Sequence, residues 1–287
     1  MRDRTDMAFE AHSRLKSAGR TCRGVHSEEW DEEGLRLRAV TVLSGEGEKA
    51  IGKPRGKYLT LELPQGWQAD AEGATRAARL LARELGELLP REGTVLVAGL
   101  GNTRITPDSI GPLTVDGVIA TRHLRGSMPE VFGHMRSVCA VKAGVLGCTG
   151  VESAEIIRGV CSHVRPSAVI AVDALASLST ERLGRTFQLS DTGVVPGSGA
   201  CNARKALNRD TLGLPVIALG VPTVVDADTI AREMTGEETD HTESRSFLVT
   251  PNDIDLIAEK SAKILSYAIN MALHGEMTPA EIEQFLC

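Results

Sequence analysis

Two short apolar runs constrain this chain most: Thr94–Leu100 (TVLVAGL) and Ala168–Val172 (AVIAV). Neither alternates apolar with polar, and neither is long enough for a buried helix, so each reads as a strand covered on both faces. Around them lie segments with helical spacing near Leu113–His123 and over Val151–His163, and further strand-like runs at Ser137–Lys142, Thr186–Leu189 and Val216–Gly220. Strands that alternate with helices in this way predict an α/β chain built on a parallel sheet.

The N-terminal part follows a different rule. Leu35–Val42 (LRLRAVTV) and Lys57–Leu63 (KYLTLEL) alternate apolar with polar residues, which predicts two half-exposed strands in a hairpin around the Gly-rich stretch SGEGEKAIGKPRG. Ala71–Leu89 then reads as an amphipathic helix, Ala227–Met234 as a short one and Asn252–His274 as a long closing one. Thr149 and Glu152 stand at capping-box spacing ahead of the helix over 151–163, and Pro166 supplies its stop. Gly236–Ser246 (GEETDHTESRS) is polar and expected to be flexible. A length of 287 residues allows one large domain or two small ones. The expectation is a single domain over 1–287, with residues 1–70 as an N-terminal segment whose hairpin packs on the α/β core.

Composition removes several functional classes. A net charge of −6 and an aromatic content of 3% argue against a nucleic-acid surface, which needs cations and stacking platforms. No uncharged apolar run approaches the ~20 residues of a membrane span, and the N-terminus lacks the apolar core of a signal peptide, so the expected location is the cytoplasm. Cys22, Cys139, Cys148, Cys161, Cys201 and Cys287 contain no CxxC pair and predict free thiols.

The candidate chemistry lies at strand ends, where parallel sheets place their sites. Asp108 follows TVLVAGL in GNTRITPDSIGP, and Asp173 directly follows AVIAV. Two acids delivered in this way suggest hydrolysis, because two nearby carboxylates do not ionise together easily. Asp108 can equally be a helix cap, whereas Asp173 next to five apolar residues needs a partner if it is buried. Asp191 and Asp226 also follow apolar segments, so a third acid is possible. GLGNTR lacks the third glycine and the acidic residue of a dinucleotide site, and no phosphate loop ends in Gly-Lys-Ser/Thr. No cofactor is expected. Two carboxylates and a histidine would form a zinc or nickel set, but no histidine lies between 165 and 240, where the loops after Asp173 would supply one. No metal ligand is assigned. Ser198 does not match a nucleophile elbow, and Cys148, ahead of a helix start, is the better thiol candidate. Backbone amides of Gly99, Gly101 and Asn102, or of the loop containing Gly197, Ser198 and Gly199, are the candidate donors to an oxyanion or a substrate backbone, with a tight turn as the alternative role.

The strings RTDMA, KYLTLE, GLGNTRITPDSIGP, TRHL, GVLGCTGVESAEIIRGV, AVIAVDALA, QLSDTGVVPGSGACNARKALNRDTLGLPVIALGVPTVVDA and LVTPNDID together resemble the germination protease family of spore-forming bacteria. The resemblance runs over nearly the whole chain. It implies an endopeptidase that degrades small acid-soluble DNA-binding spore proteins during germination, by an atypical aspartic mechanism whose two aspartates fall on Asp108 and Asp173. A three-layer α/β sandwich similar to hydrogenase maturation proteases, a homotetramer and a location in the spore core are also implied. Family members are usually made as zymogens, and only Met1, Arg2 and Asp3 precede Arg4 here, which places propeptide control in question. Many relatives carry a long insertion between the VPTVVDA segment and the last helix, where this chain has GEETDHTESRS. The alternatives are a metal-dependent maturation-type peptidase and a catalytically silent binding or structural module of the spore.

Overall fold

In the computed structural model, which describes residues 5–19, 22–196, 205–236, 247–275 and 277–286, the strands join one mixed sheet. After helix α1 (Ala8–Ser17) come β1 (Val25–Glu32), β2 (Leu35–Val42), helix α2 (Gly45–Ile51) and β3 (Gly56–Glu62). The two-residue turn between β1 and β2 holds Glu33 at φ 52° and Gly34 at φ 77°, the positive pair that matches hairpin twist. Between β2 and β3 the Gly-rich stretch forms α2 instead of a plain loop, because the Ser44 side chain caps it by accepting from the Gly47 N–H (3.2 Å).

Helix α3 (Ala71–Leu88) leads to β4 (Val95–Leu100), α4 (Ile110–Asp116), α5 (Arg122–Ser127), α6 (Pro129–Phe132) and β5 (Val138–Gly144). Then follow α7 (Leu146–Thr149), α8 (Ser153–Val164), β6 (Ala168–Ser177), β7 (Thr186–Ser190), α9 (Arg209–Leu212) and β8 (Val216–Asp226). The described chain closes with α10 (Ala227–Thr235), β9 (Leu248–Val249), α11 (Ile254–His274) and α12 (Pro279–Leu286). Among the described residues the strand order is β1-β2-β3-β7-β8-β6-β4-β5, with β9 on β8. Pairing is parallel through β8, β6, β4 and β5, and antiparallel from β8 through β7 to β1. The N-terminal strands therefore extend the sheet edge to edge. Alternation explains this: Leu59 and Leu61 of β3 continue the apolar face that Phe187 and Leu189 of β7 present.

That face is covered from end to end by α3, α4 and α11, with Leu81, Leu85, Ile264 and Leu265 among its buried side chains. Each fully buried side chain of this size contributes about 1.5–3 kcal/mol. Trp67 adds an edge-on contact with Phe187 at 6.2 Å between ring centres. The opposite face is covered in two separate patches. Ile157 and Cys161 of α8 pack on Leu96, Ala98, Val169 and Ala171, while α1 and α2 cover Val40, Val42 and Tyr58. Between the patches this face is polar.

Three local expectations change. The predicted helix over 113–123 breaks after Asp116, because Gly117 abuts α11: a Cβ there would lie 2.6 Å from Ser266 Oγ. The buried Asn270 amide locks the break, donating to the Gly117 carbonyl (2.7 Å) and accepting from the Ile119 N–H (2.9 Å). Thr149 does not cap α8; it ends α7 and accepts from the Val151 N–H (3.1 Å), and α8 starts at Ser153. Strand β6 runs on to Ser177, which puts Asp173 inside a strand. The predicted flexible segment lies, apart from Gly236, outside the described residues.

The closing helix also titrates. His274 donates from Nε2 to the Ile119 carbonyl (3.2 Å) in the neutral tautomer, and its buried Nδ1 has no partner among the described residues. Burial holds its pKa below the ordinary imidazole value, with the His134 charge acting the same way against the Ile119 hydrogen bond. An imidazole depressed in the folded state binds fewer protons than in the unfolded chain, so its contribution is present above pH ~6.5 and lost as pH falls. Urea midpoints are expected to drop between pH 7.5 and 5, with a shallower drop for His274→Gln; an equal slope in the variant would contradict this assignment.

Candidate active site

Asp173 lies inside β6, and Asp108 lies in the loop that follows the neighbouring strand β4. β4 pairs with β6 through Gly99 opposite Val172, so β4 ends level with Asp173. After Leu100, Gly101 turns the chain at φ +107°, a conformation that excludes side chains. The loop then closes on itself: the Asn102 N–H donates to the Asp108 carbonyl (2.8 Å), and the Asp108 N–H donates to the Ile105 carbonyl (2.8 Å). Asp108 ends a 3₁₀ turn over Thr106–Asp108, half-buried, and is followed directly by α4. Its Oδ1 lies 3.0 Å from where a Cβ on Gly101 would stand.

Two glycines seat this turn on the sheet. A Cβ on Gly111 would lie 2.4 Å from the Val172 carbonyl and 2.3 Å from that of Leu100, and one on Gly99 would lie 2.4 Å from the Gly111 carbonyl. Backbone therefore meets backbone at the residue before Asp173. Asp173 itself is 5% exposed and accepts from the Ala174 N–H (3.0 Å). Its position in the pleat is shared with Val169 and Ala171, on the face where the two apolar patches leave a polar gap.

That gap holds the N-terminal segment. Asp173 is in register with Gly220 of β8, and Gly220 with Gln188 of β7. The Gln188 amide accepts from the Ala8 N–H (2.9 Å) and donates to the Asp6 carbonyl (3.0 Å). Asp6 pairs with β6 beyond the end of β4: its N–H donates to the Ala176 carbonyl (3.0 Å), and its Oδ2 accepts from the Ala176 N–H (2.9 Å). Glu10, 3% exposed, accepts from Ser177 Oγ (2.6 Å), the Leu178 N–H (2.8 Å) and Arg182 (2.8 Å). Lys53 donates to the Thr5 carbonyl (2.8 Å); burial pushes its pKa down while Asp6 and Glu10 pull it back up.

The other candidate residues are placed as follows. Gly99 is a packing position in β4, and the Asn102 N–H is engaged by Asp108. Asp191 stands at the far end of β7, where its Oδ1 accepts from the Lys57 N–H (2.8 Å). By register it lies about three residues down and two strands across from Asp173, roughly 14 Å away, and is not brought to the pair. Asp226 caps α10, accepting from the Asp228 N–H (3.2 Å). Gly197, Ser198 and Gly199 lie outside the described residues. Cys148 is exposed within the short helix α7. Among the described residues no three His, Cys, Asp or Glu side chains are grouped to hold a metal ion, and no helix is long and apolar enough to cross a membrane. Sequence reasoning missed Asp6, which lies in RTDMA, Gln188, which opens QLSDTG, Gly111, the glycine of SIGP, and Glu10, which none of the family strings contains.

Sequence comparison makes the class of this α/β chain specific: it is an endopeptidase. The family described as Germination protease matches residues 3–241, and the chain belongs to it. It is 41% identical to the germination protease of Caldanaerobacter subterraneus subsp. tengcongensis over 318 aligned positions, covering 99% of this chain and 98% of the relative. It is 39% identical to that of Clostridium perfringens, again over 99% and 98%, and 44% identical to that of Bacillus cytotoxicus over 80% of this chain and 65% of the relative. An alignment of 318 positions exceeds the 287 residues here, so the first relative carries residues without a counterpart in this chain. Among solved structures, the nickel–iron hydrogenase maturation protease HycI of Thermococcus kodakarensis superposes with TM-score 0.37 at 15% identity, over 65% of this chain and 98% of that one.

The seating of the turn is testable. Gly111→Ala places a methyl group against three backbone atoms at 2.3–2.5 Å and is expected to cost about 2–3 kcal/mol of stability. Gly126→Ala, in open space, is expected to change it by less than about 1 kcal/mol. Equal urea midpoints for the two variants would contradict the close packing.

Proposed function

We propose that Asp108 and Asp173 are the catalytic pair and that the substrates are small acid-soluble DNA-binding proteins of the spore core, degraded during germination. What carries the reading is that the turn bearing Asp108 rests on the strand backbone next to Asp173. The half-buried Asp108, ionised, takes a proton from the attacking water. Asp173, buried in its strand, holds the proton and gives it to the carbonyl oxygen or the leaving amine, since a neutral carboxyl costs less at a dry position than a charged one. The Gly101 amide and the loop containing Gly197, Ser198 and Gly199 are the donors assigned to the oxyanion. The working form is a homotetramer folded from a single peptidase domain.

The test is cleavage of a purified DNA-protecting spore protein by the parent, Asp108→Asn and Asp173→Asn, each with and without chelator. Each substitution is expected to lower kcat/KM by about a hundred- to ten-thousand-fold at unchanged melting temperature, with no effect of chelator. Undiminished cleavage by either variant would refute the pair; chelator-sensitive cleavage would favour a metal mechanism; a parent that cleaves nothing would favour a binding module.

A further inference from the structure

Among the described residues the sheet ends at β5, and part of that outer edge makes no hydrogen bond. The Val95 N–H donates to the Ser137 carbonyl (2.9 Å), which sets the phase of the parallel ladder. Odd-numbered residues of β5 bond to β4, and even-numbered ones turn N–H and C=O outward. Two of these outward positions are closed. The Val138 carbonyl accepts from the Thr121 N–H (3.0 Å) and its N–H donates to Thr121 Oγ1 (3.0 Å), while the Gly144 carbonyl accepts from Ser153 Oγ (2.7 Å). Between these stops, the outward groups of Ala140 and Lys142 make no hydrogen bond among the described residues.

An uncovered strand edge invites pairing, and proteins often blunt one with a lysine. Here the Lys142 ammonium is tied to Asp116 at the end of α4, on the sheet face, and does not guard the edge. Lys142 is in register with Gly99, so the open rungs lead to the strand exit that carries Asp108, about one strand spacing (~4.8 Å) inward. Around that end three large apolar side chains face solvent: Ile105 on the Asp108 turn, and Leu146 and Val151 on the connection after β5. Unpaired backbone groups beside apolar side chains complement an extended peptide, which supplies both a backbone and alternate side chains.

We propose that the substrate binds by strand addition: an extended segment of the protein to be cut pairs with Ala140 and Lys142 on the open edge of β5. Its side chains meet Ile105, Leu146 and Val151, and the chain is delivered to the end of the sheet where Asp108 and Asp173 lie. This inference rests on the peptidase reading above.

Ala140→Pro removes one outward N–H and leaves the ladder to β4 intact, since proline is accepted where the missing donor faces solvent. On the spore protein substrate its kcat/KM is expected to fall about tenfold, through KM, with the urea midpoint unchanged. A series of substrate peptides with single backbone N-methyl groups needs no protein variant: about fivefold losses are expected at alternate positions, with little effect between them. A folded Ala140→Pro protein with parental kcat/KM, or N-methyl losses without alternation, would overturn the proposal. So would light scattering that shows Ala140→Pro dissociating an assembly, because the edge would then belong to a second copy. If the parent cleaves nothing, the peptidase reading fails separately, and anisotropy of a labelled peptide still reads the edge: equal binding by parent and Ala140→Pro overturns the inference.

Discussion

The candidate site depends on one close approach of backbone to backbone. Gly99 and Gly111 let the chain leaving β4 fold back so closely that a Cβ on Gly111 would lie 2.3 Å from the Leu100 carbonyl and 2.4 Å from that of Val172. No side chain fits between them. Interiors are packed too densely to absorb even one methyl group at such a contact, so the turn bearing Asp108 has a single seat, on the strand that bears Asp173. The positive φ of Gly101 and the Asn102–Asp108 hydrogen bond finish the loop that this contact positions.

Around this contact the sheet divides its labour. One face is a continuous apolar layer under α3, α4 and α11. The other is interrupted, and the interruption holds Asp173, Gln188 and Ser177, of which Gln188 and Ser177 bond to the N-terminal segment. Buried polar groups of this kind are costly unless each finds a partner. Asp6 and Glu10 supply partners to backbone groups of β6 and its exit, Ala176 and Leu178, within five residues of Asp173. The start of the described chain is thus fastened to the strand that bears Asp173.

Much of this was legible in the sequence, for physical reasons. Runs such as TVLVAGL and AVIAV carry their own two-sided burial, and LRLRAVTV and KYLTLEL carry their alternation, so strands and class could be read locally. Asp108 and Asp173 were visible as acids beside apolar runs. What stayed hidden depends on contacts far apart in the chain. The helix break at Gly117 is decided by Ser266 and Asn270, more than a hundred residues away. The pairing of β3 with β7, which carries the N-terminal strands into the main sheet, joins segments equally distant. Glu10 carries no sequence signal of its own, because the groups that close over it, Ser177 and Arg182, lie far along the chain. Thr149 and Glu152 had the spacing of a cap, but a separate short helix claims Thr149 first.

The central claim is that Asp108 and Asp173 act on substrate as one device. Additivity measures this most directly: kcat/KM for parent, Asp108→Asn, Asp173→Asn and the double variant on one spore protein substrate. Groups that work as a unit are non-additive, so the double variant should be no slower than the slower single variant by more than about threefold. If the double variant instead loses the product of the two single losses, the two aspartates act independently and the paired mechanism is wrong.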